Sequence, residues 1–131
     1  MLRKSEWLVL LAVALALVGC GNKESTNHRR APDGAENAKI VFLELGSTTC
    51  IPCKKMQPIM KSIEERYAGQ VKVVFHDVMK DRAVSQQYGI KLIPTQIFLD
   101  QTGKEVMRHE GFFPEEQIDD FLRKQGLNPK S

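Results

Sequence analysis

Thr48-Thr49-Cys50-Ile51-Pro52-Cys53-Lys54-Lys55 decides how the rest of this 131-residue chain is read. The apolar run Ile40 to Leu45 (IVFLEL) leads into it and a helical pattern leaves it, so the two thiols stand where a strand gives way to a helix. The first N–H groups of a helix have no helical partner, and the partial positive charge there favours a thiolate over a thiol. Cys50, at the tip, is therefore expected to ionise more readily than a free cysteine. Cys53, one turn along, is near enough to close a disulfide without backbone movement. This is the arrangement that thiol–disulfide exchange requires. The same two thiolates would also suit a soft metal such as Cu(I) in a metal-chaperone module, and a purely structural disulfide is a third use.

Downstream, Met56, Ile59, Met60, Ile63 and Tyr67 recur at helical spacing on the side that also carries Cys53. Pro52 suits the first helical turn, whereas Pro58 falls inside the helix and is expected to kink it. Ser47, Thr48 and Thr49 are candidate N-caps, and Gly69 closes the helix. Val71 to Val78 reads as a second strand, and Asp81 as the cap of a short helix ending near Tyr88-Gly89. A third strand covers Gln96 to Leu99. Asp100-Gln101-Thr102-Gly103 then turns into a fourth, Glu105 to His109, with Gly111 at a bend beyond it. The last helix begins near Pro114, carries Glu115 and Glu116 in its first turn, and presents Ile118, Phe121 and Leu122 on one face. Arg123, Lys124 and Gly126 end it. The order β-α-β-α-β-β-α predicts an α/β domain over residues 39–131, with a mixed four-stranded sheet and helices on both faces. Its parallel pair requires a right-handed crossover.

Upstream, Arg3 and Lys4 precede an apolar run, Leu8 to Val18, that is shorter than the ~20 residues of a membrane-spanning helix. Residues 1–19 therefore read as an export signal. Leu17-Val18-Gly19-Cys20 resembles the lipobox of bacterial lipoproteins, which implies a lipid on Cys20 and attachment to the bacterial cell envelope, on the periplasmic or the outer-surface side. That assignment also accounts for the odd number of cysteines, three, in an exported chain, because only Cys50 and Cys53 remain as thiols. Residues 20–38 (CGNKESTNHRRAPDGAENA) hold too little apolar surface to form a core and read as a flexible tether, His28 included. The net charge of +3 is small, and no basic face with interleaved aromatics argues for nucleic acid.

Together with the element order, four features in register identify the stretch from Lys39 to Gly126 as similar to the thioredoxin family. They are Cys50-Ile51-Pro52-Cys53 after a strand, Pro58 in the helix, Tyr88-Gly89-Ile90 with Ile93-Pro94-Thr95, and Gly111 after the hairpin. The resemblance implies that Cys50 attacks a substrate disulfide and Cys53 resolves the mixed disulfide, with no cofactor beyond this redox-active pair. It implies that Pro94 forms a cis peptide bond beside the cysteines. Ile93, Pro94 and Thr95, with Thr49, Ile51 and Pro52, would then meet the substrate chain. Glu44 occupies the position of a buried aspartate thought to relay the resolving cysteine's proton, and a carboxyl within an apolar strand is costly unless it has a use.

This chain departs from the thioredoxin pattern in several ways. Thr49 replaces a tryptophan and Ile51-Pro52 replace Gly-Pro, so the redox potential is this chain's own. Phe75 stands in place of a lysine that neighbours the buried aspartate. The family's first strand and helix have no counterpart in the polar tether. Ile93 before Pro94 resembles thioredoxin and the cytochrome-maturation lipoproteins, which favours a reductase. Its partners would be protein thiols and disulfides, a membrane electron donor of the disulfide-reductase type, and the membrane itself through Cys20. The protein is expected to act as a monomer. No metal site is expected: His76 and His109 lack ligand spacing to the cysteines, and Met56, Met60, Met79 and Met107 read mostly as core filling.

Overall fold

The structure is a computed structural model and describes residues 37–130. The proposed signal, Cys20 and most of the tether lie outside the described residues. Strand β1 (Ile40–Gly46) is buried along its whole length, as expected for a run that is apolar on both faces. Helix α1 (Ile51–Arg66) follows and runs unbroken through Pro58. Then come β2 (Val71–Asp77), α2 (Arg82–Gln87), β3 (Thr95–Asp100), β4 (Glu105–Glu110) and α3 (Glu115–Lys124).

The sheet has the order β2-β1-β3-β4, with β1 and β2 parallel and the other neighbours antiparallel. The period of two divides β1 between two cores. Ile40 and Phe42 pack with Met56, Met60 and Ile63 of α1 and with Ile118 and Leu122 of α3. Val41, Leu43 and Leu45 pack on the opposite face with Val78, Tyr88, Ile97 and Leu99. Phe98 anchors the first core, stacked on Phe42 at 4.7 Å between centroids and tilted against Phe121 at 4.9 Å. Such pairs add about 1 kcal/mol each beyond the area they bury.

The turn chemistry follows the sequence closely. Asp81 caps α2 by accepting from the N–H groups of Ala83 and Val84. Asp100 holds the β3–β4 turn by accepting from Thr102 and Lys104. Met56 and Met60 fill the core and Met107 packs against it, as expected of most of the methionines, while Met79 is exposed on the loop after β2. One expectation is corrected. The cap of α1 is Cys50 itself, and none of the three hydroxyl residues before it, for a reason that lies in the site.

Candidate active site

Cys50 occupies the N-cap position of α1 with extended backbone, and its Sγ accepts from the Cys53 N–H at 3.3 Å. The hydroxyls of the preceding loop are engaged elsewhere. Ser47 Oγ and Thr49 Oγ1 pair with each other at 3.0 Å, and Thr48 Oγ1 donates to Asp77 Oδ2 at 3.2 Å. The sulfur therefore takes the role that a serine or aspartate fills at most helix starts. A sulfur that accepts a helix-terminal N–H is stabilised as a thiolate once the disulfide opens. The first turn carries no acidic residue to oppose this, and Lys54 and Lys55 follow directly on the exposed side.

Asp77 braces this loop from the end of β2. It also accepts from the N–H groups of Thr48 and Met79. Desolvation alone would raise its pKa, but these hydrogen bonds, with Lys80 nearby, hold it below the usual carboxylate range.

The two sulfurs are joined in a disulfide, with Cα atoms 5.2 Å apart. Their surroundings differ: Cys50 is half-buried, whereas Cys53 is buried against the sheet. Gly46 makes that position possible. A Cβ at Gly46 would lie 3.1 Å from Cys53 Sγ and 3.5 Å from the Phe75 ring, so the helix settles onto bare backbone.

Glu44 shares the face of β1 that carries Gly46, one pleat further in, about 7 Å along the strand. It is fully buried. The register places Phe75 of β2 on one side of it and Gln96 of β3 on the other. Neither carboxylate oxygen has a hydrogen-bond partner, nor does either atom of the Gln96 amide. Burial pushes Glu44 up from 4.5 to about 7; the Gln96 amide, near the carboxyl but not closing a hydrogen bond of good geometry with it, favours the ionised form and opposes this only in part. A carboxyl poised near neutrality, one pleat from the glycine on which Cys53 rests, can hold or release a proton under the conditions where exchange occurs.

The Ile93–Pro94 peptide bond is cis. Thr95 pairs with Leu45 in the sheet, so Pro94 falls one step beyond, at the end of β1 where Gly46 and Cys53 meet. Thr95 Oγ1 donates to the Leu92 carbonyl at 2.6 Å, and the Pro94 carbonyl accepts from the Gly111 N–H at 2.7 Å. Both ends of this loop are thereby fixed. Ile51 and Leu92 are exposed apolar side chains, and Thr49 and Pro52 are exposed beside the cysteines.

The structure thus brings Cys50, Cys53, Glu44 and the Ile93-Pro94-Thr95 segment to one end of the sheet. Among the described residues, no group of three or more His, Cys, Asp or Glu side chains is placed to hold a metal ion. Sequence reasoning missed three contributors. Gly46 was visible only as a strand end, although a glycine closing an apolar strand is a signal of close approach. Gln96 shares with Phe98 the core-facing side of the central strand β3, where a polar residue is unexpected. Asp77 gave no local signal, because its partner Thr48 is 29 residues away.

Comparison with known proteins agrees with this geometry. Residues 25–124 match the family model described as thioredoxin. The chain is 30% identical to a thioredoxin of Haemophilus influenzae over 82 residues, covering 63% of this chain and 76% of that protein. It is 35% identical to a thioredoxin-like protein of Synechocystis, covering 59% of this chain and 72% of that one. Among solved structures it resembles a mutant thioredoxin of Halobacterium salinarum, with a TM-score of 0.62 at 21% identity, covering 69% of this chain and 77% of that one. The chain belongs to the thioredoxin family and is a thioredoxin-like thiol–disulfide oxidoreductase with a Cys50–Cys53 disulfide at its site.

Proposed function

We propose that this oxidoreductase works outside the cytoplasm, tethered to a membrane by a lipid on Cys20, and that it reduces disulfides in other proteins. In the reduced enzyme the Cys50 thiolate attacks one sulfur of a substrate disulfide. The substrate's second sulfur leaves as a thiolate, and Cys50 is held in a mixed disulfide. Cys53 then loses its proton to the Glu44 carboxylate and attacks Cys50 Sγ, releasing the first substrate sulfur. Two electrons have passed to the substrate and the Cys50–Cys53 disulfide remains. An exported reductase must be recharged by a dithiol donor, and a membrane protein of the disulfide-reductase type supplies that class of chemistry. The substrate chain lies along Ile93, at the exposed side of the cis bond, against Thr49, Ile51 and Pro52; Pro94 and Thr95 are buried and shape this surface from behind rather than touching the substrate.

The observation that carries this reading is the inequality of the two sulfurs. One caps a helix at the surface, and the other is sealed over Gly46, on the face of β1 that buries Glu44 one pleat further in. Exchange needs that asymmetry, because the attacking sulfur must be reachable and the resolving sulfur must wait.

The test is turnover of a protein disulfide by the reduced chain. Cys50→Ser should abolish it, and Cys53→Ser should accumulate a mixed disulfide through Cys50. Undiminished turnover by Cys50→Ser would refute the assignment. The direction is tested by the reduction potential of the couple: a value close to that of thioredoxins, about −270 mV, supports a reductase, and one near −120 mV reverses it. Labelling of the exported chain with a radioactive fatty acid, lost in Cys20→Ala, tests the tether.

A further inference from the structure

We propose that Gln96 is the positioning residue for Glu44: its terminal amide, turning about its last torsion, serves the protonated and the ionised carboxyl in turn and so keeps that carboxyl able to take and return the proton of Cys53. The inference rests on the relay reading above and deepens it. It starts from an anomaly in the core. Gln96 and Glu44 are both fully buried, they are directly paired across β1 and β3, and all four of their terminal polar atoms lack a hydrogen-bond partner. A fold normally satisfies such groups or replaces them with hydrocarbon, since each costs about 1–3 kcal/mol. Two orphans side by side are a matched pair that can satisfy each other.

An amide is suited to both states of a carboxyl. A protonated carboxyl can donate its O–H to the amide oxygen and accept from the amide N–H. An ionised carboxyl only accepts, so it needs the NH2 group alone, and half a turn of the amide presents that group. A leucine or methionine at 96 would serve neither state. The surroundings leave Gln96 without a rival. From β2 the facing side chain is Phe75, which does not titrate. From α1 the groups over this end of the face are Cys53, whose proton is at issue, and Met56; Lys54 and Lys55 are exposed. The core-facing side chains of α3 there are Ile118 and Leu122, and Asp119 is engaged with Arg66 and Tyr67. From β4, His109 lies beyond Gln96, stacked on Phe113 with Nε2 at the Phe112 carbonyl. The influences on the carboxyl are burial and the Gln96 amide, which favours the ionised form.

The experiment titrates Glu44 directly by its side-chain carboxyl 13C resonance, in the full oxidised chain in detergent. It is run beside the pH dependence of mixed-disulfide resolution. Gln96→Met, which nearly conserves volume, should raise the Glu44 midpoint above about 7 by on the order of one pH unit, and the resolution profile should shift upward with it. An unmoved midpoint overturns the proposal. Should Gln96→Met not fold, the unaltered protein decides: the Gln96 side-chain NH2 resonances must titrate with the Glu44 midpoint, and their indifference to it overturns the proposal. Failure of the underlying relay looks different. In that case Glu44→Gln resolves the mixed disulfide as fast as the unaltered chain, whether or not the Gln96 and Glu44 resonances move together.

Discussion

Helix α1 joins two carboxyls that the fold treats in opposite ways. At its C-terminal end Asp119 of α3 is nearly buried, with Oδ2 2.7 Å from Arg66 Nη2 and Oδ1 accepting from the Tyr67 hydroxyl at 3.0 Å. Glu115 completes that cluster, taking Arg66 Nη1 at 2.8 Å and Ser62 Oγ at 2.6 Å on one oxygen. At the N-terminal end Glu44 is buried more deeply and is given neither a cation nor a hydroxyl. Both carboxyls lie on the same side of the sheet. The difference teaches that this core can satisfy a carboxyl when the group serves only to join α1 to α3. Where the cysteines work, it leaves one unsatisfied, and the result is a proton affinity near neutrality.

The comparison predicts opposite signs for similar substitutions. Asp119→Ala strips the buried Tyr67 hydroxyl and the Arg66 guanidinium of a shared partner. It should cost about 4 kcal/mol of stability in urea unfolding while leaving the exchange rate per folded molecule unchanged. A loss below about 1 kcal/mol would mean that the cluster is ornamental and the contrast empty.

Glu44→Leu should do the reverse, in a pH-dependent manner. The folded-state pKa of Glu44, about 7, lies above the ordinary 4.5, so between these values the folded chain binds more protons than the unfolded one. Stability from this group is therefore whole below about pH 4.5 and is lost as the pH rises through 7, a decline of about 3 kcal/mol. The leucine variant should lack that decline and be the more stable protein at pH 8. Parallel stability curves for the two oxidised proteins from pH 4 to pH 8 would show that Glu44 ionises as readily in the folded chain as in the unfolded one, so that burial does not act on its charge.

These two ends of α1 were not equally legible in the sequence. The Cys50 end could be read because local rules converge on it: an apolar strand, a helix start, a proline in the first turn and two thiols one turn apart. Glu44 could be singled out as a polar residue within IVFLEL, since a strand buried on both faces has no solvent side to which it could point. The Asp119 end was opaque. Asp119 sits between Ile118 and Asp120 in a helix read as amphipathic, and Arg66 and Tyr67 are more than fifty residues away. Only tertiary packing of α3 on α1 turns that aspartate inward. The same holds within the site. The hydroxyl residues Ser47, Thr48 and Thr49 resembled caps by composition, but Asp77, brought alongside by β1–β2 pairing, claims Thr48, and Ser47 and Thr49 claim each other. Local chemistry named the elements; contacts distant in sequence decided which polar groups remained available.

A smaller substitution sharpens the contrast at the cysteine end. Gly46 lies outside the left-handed backbone region, so space is what requires a glycine there. An alanine methyl would stand 3.1 Å from Cys53 Sγ and 3.3 Å from its Cβ, closer than a relaxed contact by a few tenths of an ångström. In the reduced protein the free Cys53 side chain can rotate aside. In the oxidised protein it is tied to Cys50 and cannot, so the crowding falls mainly on the disulfide form. Overpacking of this size costs about 1 kcal/mol. If the oxidised form bears that cost alone, the couple becomes more oxidising by about 20 mV. Equilibration of Gly46→Ala with a glutathione buffer measures this directly, and an unchanged potential would show that Cys53 has more room over the strand than its burial implies. Asp119→Ala should leave the same potential where it was, because its cluster touches α1 at the other end and neither sulfur feels it.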